Sequence, residues 1–424
     1  MKSYSLIPDG NDVSAMRQAY VDALKVSGRI RSAHIEAAFR AIPRHFFLSK
    51  EPLKDVYSDK GFGLQLMDGS KVGYAAQPHG VAEFLERLAI RPGQRVMVIG
   101  AGSGYDSALI AHIVGEMGRV IAIDIEEELV DIIENGFQAA GLTWAQAICG
   151  DGALGYSEGA PYEWILMTTG VYDIAPAWCE QLKQGGRMYV PLQLRAHIQR
   201  FIEFEASETC LQGISRQRTK CSPMRGTLGT PVDTFKINPE SELAVYTDNR
   251  STNDVAKSVN KLLEGSRKDW PTGIRVTQQE LENLTLWLAV REPEFCQIWG
   301  GGEVATTGFL PCLKVYTGFW KGGDTCGLLR EEALSVLMYP PDQEPYVIGQ
   351  DDTPPFELFV RSFGQDDCLA HRLVDQIIAW DNAARPLDED LLQVRVYPKN
   401  ADYTPSIDEW VIEKQWTRLV INWP

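Results

Sequence analysis

The chain has 424 residues, 44% of them hydrophobic and 23% charged, a composition that supports a large buried core and, at usual domain sizes, two domains. Its formal net charge is −16, and the acidity is concentrated in residues 226–424, which hold 31 acidic and 18 basic side chains. Such a surface repels phosphate, which excludes a nonspecific nucleic-acid binder and an anionic membrane as partners. Residues 1–10 show no apolar core of a signal peptide, and no run approaches the roughly 20 apolar residues that span a bilayer, so a cytoplasmic protein is expected. The eight cysteines are scattered without a C-x-x-C pair, which predicts free, mostly buried thiols and no metal site.

The first elements read as helices. Ala15 to Val26 places Met16, Tyr20, Leu24 and Val26 near one face, and Ser32 to Ile42 repeats the pattern before Pro43 stops it. An irregular stretch rich in Gly, Asp and Lys follows as far as Pro78, then a helix over Val81 to Leu88. From Gln94 onward, strands and helices alternate. Val96–Ile99, Val120–Ile123, Ala145–Cys149, Trp164–Met167 and Arg187–Pro191 are short apolar strands of the kind a buried parallel sheet needs. Helices are predicted between them over Tyr105–Val114, Glu126–Ala140 and Ala175–Leu182, with Gly185-Gly186 as a turn. Two further strand-like runs follow, near Gln199–Glu205 and Gly213–Cys221. This order is that of a doubly wound α/β domain. Gly226 to Asp233 reads as a linker. Beyond it, helices over Val255–Leu263, Thr277–Leu288 and Cys368–Trp380 mix with strands at Leu392–Tyr397 and Trp416–Ile421, which predicts an α+β accessory domain holding eight of the eleven Trp.

Chemistry-bearing residues gather at three consecutive strand ends. Gly100-x-Gly102-x-Gly104 follows the first strand, where glycine lets the backbone approach a ligand and turn into a helix. Asp124 ends the second strand, where an acid accepts hydrogen bonds from a ribose diol. Asp151, in Gly150-Asp151-Gly152, ends the third, where an acid can accept from an adenine amino group. Taken singly, each is equally a structural turn or a helix cap. Together they point to an adenosine cofactor, and both NAD and S-adenosylmethionine (SAM) fit.

Further pieces decide between these: Ile42-Pro43-Arg44-His45-Phe46-Phe47, Gln77-Pro78-His79, Ile99-Gly100-Ala101-Gly102-Ser103-Gly104-Tyr105, Gly118-Arg119-Val120, Gly150-Asp151-Gly152, Ala160-Pro161-Tyr162 and Gln181-Leu182-Lys183-Gln184-Gly185-Gly186-Arg187. In order and spacing, residues from about Ala15 to Met224 resemble the protein L-isoaspartate (D-aspartate) O-methyltransferases. The resemblance implies a Rossmann-like SAM-dependent methyltransferase domain over residues 1–225, with a helical and loop part at 1–93 and the doubly wound core at 94–225. Residues 226–424 then form the acidic accessory domain, expected to bind peptide. SAM is the implied methyl donor, S-adenosylhomocysteine the product, and a peptide carboxylate the acceptor. Carried over by position, Gly100, Gly102 and Gly104 line the methionine part of SAM, Asp124 holds the ribose, and Asp151 and Gly152 read the adenine. Gln77, His79, Ala101, Ser103, Ile125 and Thr168 also fall to the cofactor site, although His79 is equally a structural histidine.

Two departures stand out. The acid common on the first strand of SAM enzymes is Val98 here. The family's active-site serine falls at Ala76. Methyl transfer to a carboxylate is an in-line displacement by a group already ionised at neutral pH, so losing a hydroxyl does not remove the chemistry. An inserted run, Leu194-Arg195-Ala196-His197-Ile198-Gln199-Arg200, offers Arg195 and Arg200 as a bidentate clamp on acceptor carboxylates, or as solvated loop residues. The extension and the run at 215–226 resemble the longer methyltransferases associated with ribosomal peptide natural products (lanthipeptides, lasso peptides and graspetides). That subgroup methylates an Asp side chain of a constrained, macrocyclic peptide, and the ester collapses to an aspartimide or isoaspartate. General isoaspartyl repair is the alternative, and a lapsed SAM-binding interaction protein a third. The oligomeric state, monomer or homodimer, stays open.

Overall fold

The computed structural model of the chain describes residues 10–207, 210–229, 233–238, 240–248, 254–306, 308–316, 322–341, 343, 346–347, 354–386 and 392–423. Residues 1–9, read above for a signal peptide, and residues 230–232 of the expected linker lie outside them. The chain divides into two compact units. Unit 1 comprises residues 1–191, 201–213 and 220–229; unit 2 comprises residues 192–200, 214–219 and 230–424.

Unit 1 opens with α1 (Asn11–Val26), α2 (Ala33–Ala41) and the short α3 (Leu53–Val56). Tyr20 and Leu24 of α1 are buried, as their spacing predicts, but Val26 is 90% exposed. It follows Leu24 by two residues, about 200° around the helix, and so faces away from the core. The stretch before Pro78 is more ordered than its composition suggests. It holds an antiparallel hairpin of β1 (Phe62–Gln65) and β2 (Lys71–Ala75), and α4 (Pro78–Leu88) follows with Pro78 in its first turn.

The alternating elements are β3 (Arg95–Ile99), α5 (Tyr105–Val114), β4 (Arg119–Asp124), α6 (Glu127–Ala139), β5 (Ala145–Cys149), β6 (Tyr162–Met167), α7 (Pro176–Gln181), β7 (Leu182–Gln193) and β8 (Gln199–Ala206). They form a sheet of order β8-β7-β6-β3-β4-β5, with β3 parallel to β4 and β6, β4 to β5, and β6 to β7. Ile99 pairs with both Ile123 and Met167, and Asp124 pairs with Cys149. The carboxyl ends of four strands therefore lie along one edge. This is the doubly wound fold the alternation predicted. The Gly185-Gly186 step, expected as a turn, falls within β7, where the register to β6 shifts and absorbs the irregularity. Val98 is 1% exposed in the core of this unit, so an acid at that position would be buried among apolar side chains.

β9 (Leu211–Thr219) is divided between the units. Unit 2 continues with β10 (Asp233–Asn238), β11 (Ser241–Thr247), α8 (Val255–Leu263), β12 (Arg267–Val276), α9 (Gln278–Arg291), β13 (Phe295–Gly301), α10 (Glu303–Thr306), β14 (Lys314–Tyr316), β15 (Gly322–Arg330), β16 (Ala333–Met338), β17 (Tyr346–Val347), β18 (Phe356–Gly364), α11 (Cys368–Asn382), β19 (Gln393–Pro398), β20 (Glu409–Glu413) and β21 (Thr417–Asn422). Its large sheet runs β10-β11-β13-β15-β16-β18-β12. Val255, Ala256, Val259 and Leu263 of α8 are buried in a core that includes Val245, Ile298 and Val336 of the sheet. A second group pairs β20 with β21 and β21 with β19, all antiparallel. α9 starts at a capping box: Thr277 Oγ1 accepts from the Glu280 amide and Glu280 accepts from the Thr277 amide. The cysteines are all free, but only Cys296, Cys312 and Cys326 are buried, fewer than the sequence suggested.

Candidate active site

The glycine turn after β3 is shaped by contacts to three other elements. Gly100, Gly102 and Gly104 have φ of +77°, +59° and +82°, a region that disfavours any side chain. A Cβ on Gly100 would lie 2.5 Å from Thr169 Cγ2, and one on Gly104 would lie 2.6 Å from Ile133 Cγ1 of α6. Above Gly102 sits Leu64 of β1, 3.3 Å from where a Cβ would be. The amides of Gly100 and Ala101 both donate to the Ile123 carbonyl, at 2.9 and 3.0 Å. Ser103 is 6% exposed, and its hydroxyl accepts from the Tyr105 amide at 3.4 Å. Thr168 ties the loop after β6 to the same turn: its amide donates to the Ile99 carbonyl at 3.1 Å, and its hydroxyl donates to the Gly100 carbonyl.

The two acids are placed as their strand ends require, and each also holds backbone. Asp124, 7% exposed, accepts from the Gly102 amide at 2.8 Å and the Glu126 amide at 3.1 Å. Burial pushes its carboxyl above the ordinary value, opposed by those amides and by Arg225. Ile125 beside it is exposed, an apolar surface next to the strand end. Asp151 accepts from the Ala153 amide at 2.9 Å, and from the amide and hydroxyl of Thr227 at 2.8 and 2.6 Å. Burial acts to raise its carboxyl too, but the Thr227 and Ala153 bonds outweigh it and hold it below the ordinary value. Gly152 is required by crowding, since a Cβ would lie 2.3 Å from Ile99 Cγ2 and 2.8 Å from Met224 Cε.

Thr227 belongs to a segment that crosses the strand ends. The Gly170 amide donates to Ser222, the Met224 amide donates to Gly170 (both 2.8 Å), and Arg225 pairs with Glu126. Gly226 has φ +83°, and a Cβ there would lie 2.7 Å from Asp151 Oδ2. Residues 222–227 thus join the loops after β6, β5 and β4. The run at 215–226 resembles a subgroup by sequence, but the pairing of Thr227 with Asp151 spans 76 residues and leaves no local signal.

On the N-terminal side, Ala76 and Gln77 are exposed between β2 and α4. The Ala76 carbonyl accepts from Arg44 Nη2 at 3.0 Å. Arg44, 1% exposed, also donates to the carbonyls of Val56 (2.9 Å) and Lys60 (3.0 Å), so one guanidinium fixes both approaches to the β1–β2 hairpin. The His79 amide and Nδ1 both engage Asp59, at 3.0 and 2.6 Å. A carboxylate accepts only, so Nδ1 is the donor of this pair. Arg44 lay inside a recognised motif without a stated role, and Asp59 carried no signal of its own.

Arg195 and Arg200 are assigned to unit 2, at 7% and 3% exposure. Arg195 Nε donates to the Ala289 carbonyl of α9 at 3.0 Å, and nearby Lys414 donates to the Leu194 carbonyl at 2.7 Å. His197 stacks on Tyr246 at 4.8 Å. The inserted run is therefore well anchored within that unit.

Comparison with known proteins places this site in a family. The family model for protein-L-isoaspartate (D-aspartate) O-methyltransferase matches residues 15–220. The protein-L-isoaspartate O-methyltransferase of Methanopyrus kandleri is 37% identical over 193 residues, covering 45% of this chain and 83% of that protein. The chain belongs to the protein-L-isoaspartate (D-aspartate) O-methyltransferase family. Members are SAM-dependent protein carboxyl O-methyltransferases. The Thermotoga maritima relative is 34% identical over 200 residues, and the match spans 47% of this chain and 63% of that protein. A solved protein-L-isoaspartate O-methyltransferase shares the fold across 95% of this chain and 98% of its own, with a TM-score of 0.52 and 21% identity.

The residues present fit SAM. The glycine turn brings bare backbone to the strand ends where packing leaves no room for a Cβ, Thr169 Oγ1 is buried beside Gly100 without a hydrogen-bond partner among the described residues, and exposed Ile125 offers an apolar face next to Asp124. Among the described residues, no helix is long and apolar enough to cross a membrane.

Proposed function

We propose that this chain methyl-esterifies an Asp side-chain carboxylate of a constrained, macrocyclic ribosomal peptide, and that the ester then closes to an aspartimide or isoaspartate. The observation that carries the reading is Ala76. Its backbone is fixed by Arg44 at the position matched to the family serine, so the hydroxyl is absent from an otherwise ordered loop. A pocket without that hydroxyl relies on the acceptor's own rigidity for alignment, which a ring supplies. SAM, held by the glycine turn, Asp124 and Asp151, supplies a methyl group bonded to a positively charged sulfur. The chain's residues need not remove a proton, because the acceptor carboxylate is ionised at neutral pH. Their work is to align the acceptor and exclude water. His79, oriented by Asp59, is suited to orienting it. Unit 2 is the peptide-holding part in this reading; Arg195 and Arg200 are buried there, with Arg195 donating to the Ala289 carbonyl, so neither is the solvated loop arginine that the sequence allowed.

A second reading is general isoaspartyl repair. The likeness to a solved protein-L-isoaspartate O-methyltransferase over nearly its whole length favours it, because a long chain does not by itself mark a peptide-tailoring enzyme. Mass spectrometry separates the two. Cyclised precursor peptide with enzyme and SAM should gain about 14 Da, one methylene, and then fall about 18 Da below the starting peptide as methanol leaves. Methylation of linear isoaspartyl peptides alone would overturn the proposal in favour of repair.

A further inference from the structure

Arg291 ends α9 in a setting unlike the other arginines described for unit 2. Its guanidinium carbon lies 3.3 Å over the Trp287 ring and 3.7 Å over the Trp410 ring. Trp287 precedes it by four residues on the same helix face, and Trp410 comes from β20. Trp287 is 2% exposed, packs against Trp423 and donates through Nε1 to Gln376 at 3.1 Å, so that wall is rigid. Arg291 itself is half-buried. Nε is buried with no hydrogen-bond partner, and the whole side chain makes no hydrogen bond or ion pair among the described residues. The acid next to it in sequence is engaged elsewhere: Glu292 pairs with Arg372 at 2.8 Å. Burial alone moves the Arg291 guanidinium, down to about 10, and no acidic neighbour acts on it. It stays charged at neutral pH.

This is an unexpected place for an uncompensated cation, because residues 226–424 carry 31 acidic side chains against 18 basic ones. Arg395–Glu409 and Arg361–Asp269 show the ordinary arrangement in the same unit. With indoles over the guanidinium, only its edge is left for a ligand. A planar edge of N–H donors matches the two oxygens of a carboxylate, and partial burial strengthens that pairing. The stacking also fixes the fork before a ligand arrives, which reduces the ordering cost of binding.

We infer that Arg291, held between Trp287 and Trp410, is a carboxylate-binding site that anchors a peptide ligand on unit 2. It rests on the reading that unit 2 receives the peptide. The carboxylate it takes is an anchor: either an acidic side chain or the C-terminal group of the peptide.

Titration of the full chain, followed by tryptophan fluorescence, tests this. Three lysine-rich blocked tetrapeptides serve as probes: one with a free C-terminal carboxylate, one with a single aspartate and an amidated end, and one amidated with no acid. Saturable quenching is expected for at least one acidic probe, at least tenfold tighter than for the acid-free probe, and the tighter of the two identifies the source. Arg291→Gln should abolish the preference. Arg291→Lys, which keeps the charge and loses the fork, should weaken it about tenfold. SAM affinity should be unchanged in both. Equal binding of acidic and acid-free probes to the wild-type chain overturns the inference, even if a variant fails to fold, and so does an unchanged preference in folded Arg291→Gln. The assay reads binding alone, so loss of methyl transfer to cyclised peptide with carboxylate binding intact would count against the proposed reaction and leave this site standing.

Discussion

Asp124 separates a ligand contact from a structural one. Its carboxylate accepts two backbone amides, from Gly102 and Glu126, and is matched by family position to the ribose of SAM. Removing it with Asp124→Ala leaves both amides short of an acceptor. Hydrogen bonds to charged groups are worth about 1.5–3 kcal/mol each, and burial already offsets part of that here, so the low end applies: about 3 kcal/mol of stability for the pair. For a unit of this size that corresponds to a fall of roughly 6–12 °C in Tm. Losing the ribose contacts should weaken SAM by about 100-fold or more. Asp124→Asn keeps one amide acceptor and points an NH2 at the other amide, so about half the stability loss is expected. The pH dependence has two signs. Because burial raises the folded carboxyl above its ordinary 3.8, stability from this group falls as pH climbs through the interval between the two values. SAM affinity rises across the same interval, as the carboxylate ionises to accept the ribose. Calorimetric titration with SAM and thermal melts from pH 4 to 8 read both. A SAM affinity within threefold of wild type in Asp124→Ala would refute the ribose assignment, and an unchanged Tm in Asp124→Asn would refute the claim that both amides depend on the carboxylate.

Three other outcomes are expected. Arg44→Met strands three carbonyl acceptors and should cost about 3 kcal/mol or more in urea denaturation, while Arg44→Lys rescues only part because an ammonium cannot serve the spread acceptors as a fork does. Asp106, in the first turn of α5, has its carboxyl pushed up to about 6 by burial, with Arg44 opposing, so Asp106→Asn should stabilise the chain above pH 6, lose that advantage towards pH 4, and amount to roughly 1–3 kcal/mol at pH 7 in pH-resolved melts. Ala76→Ser restores one hydroxyl, worth about tenfold in rate if the acceptor needs it; a tenfold gain on linear isoaspartyl peptides would favour repair, whereas little change on cyclised peptide fits the proposal.

The strand ends were legible because their signals are local. Gly100, Gly102, Gly104, Asp124 and Asp151 each follow an apolar run that reads as a buried strand, and the sheet register brings those ends to one edge. Arg44 was not legible as a hub, because its acceptors at Val56, Lys60 and Ala76 lie 12, 16 and 32 residues away. Asp151 and Thr227 meet across 76 residues for the same reason. In unit 2 the helix over Thr277–Leu288 was legible, and the structure starts it at Gln278 behind a Thr277 cap, but the large sheet was hidden. Gly327 reads as a strand breaker, yet a Cβ there would lie 1.9 Å from the Ser335 carbonyl of the paired strand, so close pairing demands the glycine. Val26 shows the opposite error, an apolar residue counted with a face it does not share.

The acidity of the C-terminal half and the unpartnered Arg291 act at different ranges. A lysine-bearing peptide is drawn to a net-negative surface over distances comparable to a Debye length, about 8–10 Å at physiological salt, so added salt slows association. In the proposed site, a carboxylate on Arg291 would be held at contact beside two indoles, where screening is weak, so it would govern dissociation. An acidic peptide without lysines meets long-range repulsion before it can reach the arginine, and a basic peptide without a carboxylate arrives quickly and leaves quickly. If unit 2 receives the peptide as proposed, the combination would select peptides that carry both. Salt should therefore act chiefly on the association rate of such a peptide, while Arg291→Lys should act chiefly on its dissociation rate, and stopped-flow measurement of the two rates distinguishes these contributions.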